Sequence, residues 1–143
     1  MFQIILQKDN SLKFNHIGYC VNNLEKSKIN FQNLGYMPSE TFLDQDQNIE
    51  IILLRKKSSP IIELIQPIGK NNPLNRYLKP GEIAVSYHIA YEVKNIVETV
   101  NHLRDKGFIP AMKISQAVAF NNVPFIFLAN QFTGLIELLE IND

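Results

Sequence analysis

Cysteine and net charge are both scarce in this chain of 143 residues, and each scarcity excludes a class of protein. The single cysteine, Cys20, excludes an intramolecular disulfide framework and a cysteine-rich zinc site, and we expect it to be buried in a reducing compartment. Fourteen Lys and Arg residues balance fourteen Asp and Glu residues. Without a basic excess, the chain has no electrostatic means of attracting nucleic acid or an anionic membrane, so the expected partner is a small molecule.

Long hydrophobic runs are absent as well. No apolar run approaches the roughly 18 residues of a membrane-spanning helix. The mostly apolar residues 1–6 are too few for a secretory signal and lack its basic start, so we expect a cytoplasmic protein. The length, together with 45% apolar and 20% charged residues, fits a single globular domain over residues 1–143.

What the sequence does contain is an internal repeat. Residues 14–24 match residues 86–96 at an offset of 72, with identical His, Ile, Tyr, Val and Asn residues. Seven of the 26 positions from 13 to 38 are identical at this offset. Later in each half, residues 61–64 match residues 135–138 at an offset of 74, so the second half contains two additional residues in between. The repeat predicts two modules, about 13–66 and 85–140, joined by a linker over 67–84.

Each module has the same predicted element order, βαβββ, which makes the fold class α+β. Asn23 and Asn95 are typical helix N-caps, and Gly35 and Gly107 lie where a helix C-terminal glycine takes a left-handed conformation. One face of the first helix is predicted to hold Leu24, Ser27, Phe31 and Leu34, and the second helix is predicted to place Ile96, Val100 and Leu103 inward.

Weaker signals predict four other elements. Residues 37–44 and 109–118 each predict a less regular strand, and Asn72 followed by Pro73 predicts a short helix in the linker. Residues 2–6 predict an additional edge strand.

Two histidines and two glutamates occupy matched positions of the repeat: His16 with His88, and Glu63 with Glu137. Strand alternation predicts that Phe14, His16 and Gly18 share one face, as do Ser86, His88 and Ala90. A carboxylate among Ile and Leu residues is costly to bury unless something pairs with it. A divalent metal would pair with all four side chains, because imidazole and carboxylate ligands suit borderline divalent ions. The third histidine, His102, is expected to be a solvated helix residue.

Several segments together resemble the vicinal oxygen chelate superfamily, which contains glyoxalase I, methylmalonyl-CoA epimerase, extradiol dioxygenases and bleomycin-resistance proteins. The resemblance covers about residues 13–140 and is carried by residues 16–18, 62–67, 88–93 and 134–138. It implies a cupped mixed β-sheet with helices on the outside, built around one divalent metal ion (Zn, Co, Ni or Mn). The implied ligands are His16, Glu63, His88 and Glu137.

The epimerase branch is the more similar part of the superfamily, on the evidence of residues 63–67, 72–78 and 86–90. It implies a metal-dependent isomerase that moves a proton α to the carbonyl of an acyl thioester such as an acyl-CoA, working as a homodimer. Glu50 is the implied base and Glu137 the second proton carrier. The chain departs from this branch at Tyr87, where a second His is common, and at residues 129–131, where a His-Pro-Lys turn is common.

Three alternatives remain open. A glyoxalase I-like lyase would use the same metal site on a glutathione hemithioacetal. An extradiol dioxygenase would use two His and one Glu, so Glu63 disfavours it. A non-catalytic small-molecule-binding protein would lack the full ligand set. The sequence also leaves open whether the cup forms within one chain or across a dimer.

Overall fold

The computed structural model describes residues 12–78 and 83–142, and it confirms the predicted α+β class of paired βαβββ units. The predicted edge strand over residues 2–6 lies outside the described residues. The first unit and the linker contain β1 (Lys13–Cys20), α1 (Leu24–Gln32), β2 (Met37–Asp44), β3 (Ile49–Arg55), β4 (Ile61–Pro67) and a 3-10 helix (Pro73–Tyr77). The second unit contains β5 (Val85–Val93), α2 (Ile96–Arg104), β6 (Ile109–Pro110), β7 (Ser115–Ala117), a 3-10 helix (Val118–Phe120), β8 (Val123–Asn130) and β9 (Gly134–Glu140).

All nine of these strands belong to one mixed, cupped sheet. The order is β2-β3-β4-β1-β5-β9-β8-β6, and β7 pairs with β8 beside β6. Within each unit the first strand pairs in parallel with the last, and among the described strands the two units are hydrogen-bonded to each other where β1 runs antiparallel to β5. The cup is therefore formed within a single chain.

The two helices cover the outer face of the sheet. Asn23 and Asn95 cap them as predicted, accepting hydrogen bonds from the backbone N–H groups of Lys26 and Glu98. Both predicted glycines, Gly35 and Gly107, have a φ near +100°. No helix in the described parts of the chain is long and apolar enough to cross a membrane.

The predicted inner face of α1 is wrong at one position. Leu24 is buried and Phe31 is half-buried beneath the helix, but the helix ends at Gln32 and leaves Leu34 60% exposed. In α2, by contrast, Ile96 and Val100 are buried as predicted.

Two β-bulges stand at matched positions of the repeat. On β1 the pairing with β5 skips Asn15, and on β5 it skips Tyr87. A bulge turns the extra residue toward the same side as its neighbour and ends simple alternation. Phe14 consequently packs against the ring of Tyr91, and the predicted sharing of a face by Phe14 and His16 is wrong.

The second unit differs from the first at its weak strand. The predicted single strand over 109–118 is instead two short strands, β6 and β7, followed by a 3-10 helix. The break accommodates one of the two additional residues of the second half, because one more residue separates Pro110 from Ala117 than separates Pro38 from Asp44. The 3-10 helix brings Ala119 and Phe120 against the concave face of the sheet.

Candidate metal centre

The structure brings the four predicted ligands to one point on the concave face. His16 is on β1, Glu63 on β4, His88 on β5 and Glu137 on β9, the four central strands of the sheet. Each is at most 5% exposed. Four strands that are neighbours in the sheet can present one side chain each to a common point because the sheet is concave there.

The donor atoms are close-packed. Nε2 of His16 lies 3.2 Å from Oε1 of Glu63 and 3.0 Å from Oε1 of Glu137. Nε2 of His88 lies 3.3 Å and 3.0 Å from the same two oxygens. The two Nε2 atoms are 3.1 Å apart, and one donor atom from each residue lies within 4.8 Å of every other.

These spacings fit a divalent ion. Neighbouring ligands around a six-coordinate ion with bonds of about 2.1 Å are about 3.0 Å apart. Two neutral imidazoles and two carboxylates balance the charge of a divalent ion and leave coordination positions for a substrate. The donor set of this chain therefore fits the metal that the sequence predicts.

Charge pairing dominates the electrostatics of the metal-free cluster. Burial alone would lower the pKa of His16, but the carboxylates of Glu63 and Glu137 outweigh burial and raise it to about 10. The pKa of His88 is raised for the same reasons. Burial would raise the pKa of Glu63, yet the imidazoles lower it to about 2, and they lower that of Glu137 too. The pKa of Tyr87 rises well above its usual value through burial and through these two carboxylates.

The bulge residue Asn15 orients the first histidine. Its side-chain oxygen lies 2.7 Å from Nδ1 of His16, and its amide donates to Glu92 over 2.9 Å. Because the amide nitrogen of Asn15 is bound to Glu92, its oxygen faces the ring and accepts from Nδ1–H. Nε2 of His16 is then the atom available to a metal. The sequence analysis missed Asn15, although it directly precedes a predicted ligand.

On its Nδ1 side, the ring of His88 is positioned by the packing of neighbouring residues and not by a hydrogen bond. Nδ1 of His88 is buried without a partner in the described structure. Its ring lies over Gly18, directly opposite on β1, where a Cβ would overlap the imidazole. Phe127 and Tyr87 contact the ring edge-on, with centroids 5.0 Å and 4.6 Å away.

Apolar side chains enclose the centre. Phe120 stacks on His16 with the centroids 5.0 Å apart and the planes 12° from parallel. The cup beside the ligands is partly open, and its empty space, open solvent included, is about 330 Å³. Its walls are Ile49, Ile51, Ile65, Ala117, Val118, Ala119, Phe120, Phe125 and Phe127, and its polar residues are Asp44, Gln47, Glu63, Tyr87 and Glu137.

The structure does not bring Glu50 to the centre. Glu50 is opposite Gln66 on β4, whereas its neighbour Ile51 lines the cup and Leu53 is opposite Glu63. Because directly opposed residues share a face, Glu50 points to the outer face, away from the four ligands. The resemblance implied Glu50 as a base, and the sequence alone has no strand register that would place its side chain. A buried carboxylate that it missed, Asp44, lines the cup instead.

Comparison with known proteins gives consistent matches. The family model of the Glyoxalase/Bleomycin resistance protein/Dioxygenase superfamily matches residues 15–127. Human mitochondrial methylmalonyl-CoA epimerase is 27% identical over 129 residues, covering 88% of this chain and 72% of that protein. Ethylmalonyl-CoA/methylmalonyl-CoA epimerase of Cereibacter sphaeroides is 25% identical, covering 90% of this chain and 98% of that protein.

The solved structures show the same fold. Methylmalonyl-CoA epimerase from Mycobacterium tuberculosis superimposes with a TM-score of 0.78 at 23% identity, covering 92% of this chain and 89% of that one. A variant of Streptomyces coelicolor methylmalonyl-CoA epimerase in complex with 2-nitronate-propionyl-CoA gives 0.78 at 20% identity, covering 93% and 100%.

Proposed function

Because this chain belongs to the glyoxalase/bleomycin resistance protein/dioxygenase superfamily, we propose that it is a divalent-metal-dependent epimerase of a 2-substituted malonyl thioester such as methylmalonyl-CoA. The observation that carries the proposal is the convergence of His16, Glu63, His88 and Glu137 in an apolar cup. The curated relatives named as methylmalonyl-CoA epimerases, matched over 88–90% of the chain, support the choice of substrate.

The proposed reaction removes and returns the proton between two carbonyl groups. A divalent ion held by the four side chains would accept a carbonyl oxygen of the substrate and stabilise the negative charge of the enolate. Asn15 holds a proton on Nδ1 of His16, so that Nε2 is the atom that would lose its proton and bind the ion. The apolar walls lower the local dielectric constant, which strengthens electrostatic interactions inside the cup.

Inversion at carbon needs a proton carrier on each face of a planar enolate. We propose Glu137 as one carrier, since its carboxylate lines the cup. For the second carrier, Asp44 replaces Glu50 in the proposal, because it is the cup-lining carboxylate outside the predicted ligand set. Its carboxylate accepts hydrogen bonds from the backbone and side chain of Gln47, at 3.1 Å and 2.8 Å, which fix its position.

Deuterium exchange tests the proposal directly. Protein loaded separately with Zn, Co, Ni and Mn is incubated with one epimer of methylmalonyl-CoA in deuterated water, and both deuterium uptake at the α-carbon and formation of the other epimer are followed. We expect both with at least one ion and neither after chelation. Turnover of a glutathione hemithioacetal without exchange of the thioester would instead identify a glyoxalase I-like lyase.

A further inference from the structure

Positive charge is concentrated at the end of β3, on a chain without net charge. Arg55, Lys56 and Lys57 follow one another there, and all three are exposed. They line a groove whose empty space, open solvent included, is about 730 Å³. No acidic side chain among the described residues lines this groove, whose other walls are Gly35, Met37, Ser59 and Ile61.

The fold uses only one of these three cations. The ammonium group of Lys56 donates a hydrogen bond to the backbone carbonyl of Leu34 over 2.7 Å and lies above the ring of Tyr36. Within residues 12–78 and 83–142, the side chains of Arg55 and Lys57 have no ion pair and no hydrogen bond. Arg55 and Lys57 are therefore available to an anion, and guanidinium and ammonium groups both bind phosphate.

The groove is on the same face of the sheet as the metal centre. Arg55 is two residues beyond Leu53, and Leu53 is directly opposite the predicted ligand Glu63. Because side chains alternate along a strand, Arg55 shares the concave face with Leu53. On the neighbouring strands, Ile61 of the groove is paired with His16 of the metal centre. One face thus presents both the metal centre and the cationic groove.

An open hollow lies between the cup and the groove. It shares Ala119 and Phe120 with the walls of the cup, and it shares Arg55 with the groove. Its empty space, open solvent included, is about 620 Å³. A chain-like ligand can therefore run from the cup to the groove along walls that include Phe42, Leu53, Phe120, Val123 and Ile141.

The separation of the two sites suits coenzyme A. Ser59 of the groove precedes Glu63 by four positions, which is about 13 Å along an extended chain. In an acyl-CoA, about thirteen bonds separate the thioester sulfur from the first phosphate, and an extended chain of that many bonds spans roughly 15 Å. A thioester at the metal centre would consequently bring its phosphates to the groove.

We propose that Arg55 and Lys57 bind the phosphates of the nucleotide part of a CoA thioester and so select CoA thioesters over thioesters that lack the nucleotide. The inference rests on the proposed function, in which the thioester lies at the metal centre. A second basic groove contains Arg76 and Lys106, but none of its described lining residues also lines the cup or the hollow. The groove at the end of β3 is therefore the one assigned to the phosphates.

Calorimetry on Zn-loaded protein tests the inference without turnover. Methylmalonyl-CoA and the methylmalonyl thioester of pantetheine have the same acyl group and differ in the phosphorylated nucleotide. We expect the double variant Arg55→Gln/Lys57→Gln to bind methylmalonyl-CoA about 10- to 100-fold more weakly, the usual effect of losing hydrogen bonds to charged groups, and to bind the pantetheine thioester within about twofold of wild type. The matched control, Arg76→Gln/Lys106→Gln, removes the same charge from the second groove and should change neither affinity.

Two outcomes of this comparison overturn the inference. One is an unchanged ratio of the two affinities in Arg55→Gln/Lys57→Gln, and the other is a loss of CoA binding confined to Arg76→Gln/Lys106→Gln. Backbone amide NMR of the wild type gives a readout that needs no variant. The amides of residues 55–59 should shift with methylmalonyl-CoA and not with the pantetheine thioester, and unchanged amides also overturn the inference.

Two further measurements separate this inference from its alternatives. A thioester of phosphopantetheine carries a single phosphate, and if it binds as tightly as methylmalonyl-CoA, the groove serves a carrier-protein arm and selection of CoA is refuted. Deuterium exchange in the same samples separates the inference from epimerisation. A preference for CoA that depends on Arg55 and Lys57, without exchange, supports the inference and refutes epimerisation. Exchange with equal binding of all three thioesters refutes the inference alone.

Discussion

Gly18 and His88 are directly opposite each other on β1 and β5, and the ring of His88 occupies the space that a side chain at Gly18 would fill. The equivalent pair in the repeat is Ala90 opposite His16, where a methyl group is accommodated. The two histidines are therefore positioned by different means, His16 by the hydrogen bond that its Nδ1–H donates to Asn15 and His88 by the space that the missing Cβ of Gly18 leaves.

A methyl group at Gly18 should displace His88 and weaken metal binding. We expect Gly18→Ala to fold and to lose about 10- to 100-fold in metal affinity, as other changes that misorient a ligand do. Competition with a chromogenic chelator measures the affinity. Ala90→Gly is the control at the equivalent position and should retain its metal, because it only removes a methyl group. Equal affinity in Gly18→Ala and wild type would contradict the interpretation of Gly18.

Removing His88 itself should abolish stoichiometric metal binding. His88→Ala deletes one of four donors and leaves two buried carboxylates with a single imidazole, so we also expect a loss of roughly 3–5 kcal/mol in the free energy of unfolding of the metal-free protein. Mass spectrometry of the metal content and urea unfolding check the two effects. His102→Ala, at an exposed position of α2, should change neither. Full metal content in a folded His88→Ala protein would refute the centre.

Metal binding should release protons. At pH 7 the imidazole of His16, with its pKa near 10, is protonated in the metal-free cluster, and His88 is raised in the same direction. Both must lose a proton to bind a metal through Nε2. Calorimetry in buffers of different ionisation enthalpy should show release of at least about one proton per ion, and affinity should increase with pH toward 10. Affinity that is independent of pH between 6 and 9 would show that the charge-paired cluster does not form.

The stability of the metal-free protein should be greatest in mildly acidic solution. The pKa of Glu63 is lowered from 4.5 to about 2, so its contribution is complete above pH 4.5 and disappears as the pH falls through 2. The pKa of His16 is raised from 6.5 to about 10, so its contribution is complete below pH 6.5 and disappears as the pH rises through 10. Both are fully present between pH 4.5 and 6.5. Thermal unfolding with chelator present measures stability as a function of pH. In Glu63→Gln, the decrease in stability from pH 4.5 toward pH 2 should be smaller than in the wild type.

Asp44 and Glu50 make a matched pair for testing the second proton carrier. We expect Asp44→Asn to keep its metal and its turn, since the amide oxygen can still accept from Gln47, and to lose about two to four orders of magnitude in epimerisation rate. Glu50→Gln, on the outer face, should retain the wild-type rate. The reverse result, a slow Glu50→Gln and an unaffected Asp44→Asn, would return the role to Glu50 and refute the assignment to the cup.

Much of the fold was predictable because the sequence contains the same unit twice. The pairing of His16 with His88 and of Glu63 with Glu137 emerged from the repeat, and Asn23 and Gly35 mark helix ends by local chemistry that needs no tertiary context. The four candidate ligands were thus identified from the sequence together with the resemblance that it supports.

What was not predictable depends on strand register. A one-residue bulge leaves no pattern of its own in a sequence, yet it moved Phe14 away from His16 and turned Asn15 and Tyr87 toward the histidines. The position of Glu50 on the outer face also depends on register, because only the pairing of β3 with β4 shows which residues are opposite Glu63. Phe120 contacts His16 from a 3-10 helix that begins at the last residue of a predicted strand and was not itself predicted.

The metal centre lies across the seam between β1 and β5, and its position there affects how the two units assemble. Of the four donors, His16 and Glu63 come from one unit and His88 and Glu137 from the other, and the outermost two are 121 positions apart along the chain. An ion that joins them holds long loops closed, and the entropic cost of closing a loop increases with its length. The bound ion acts in this respect as a removable cross-link. Because it binds only when both halves have met, the free energy of metal binding is also free energy of assembling the two halves.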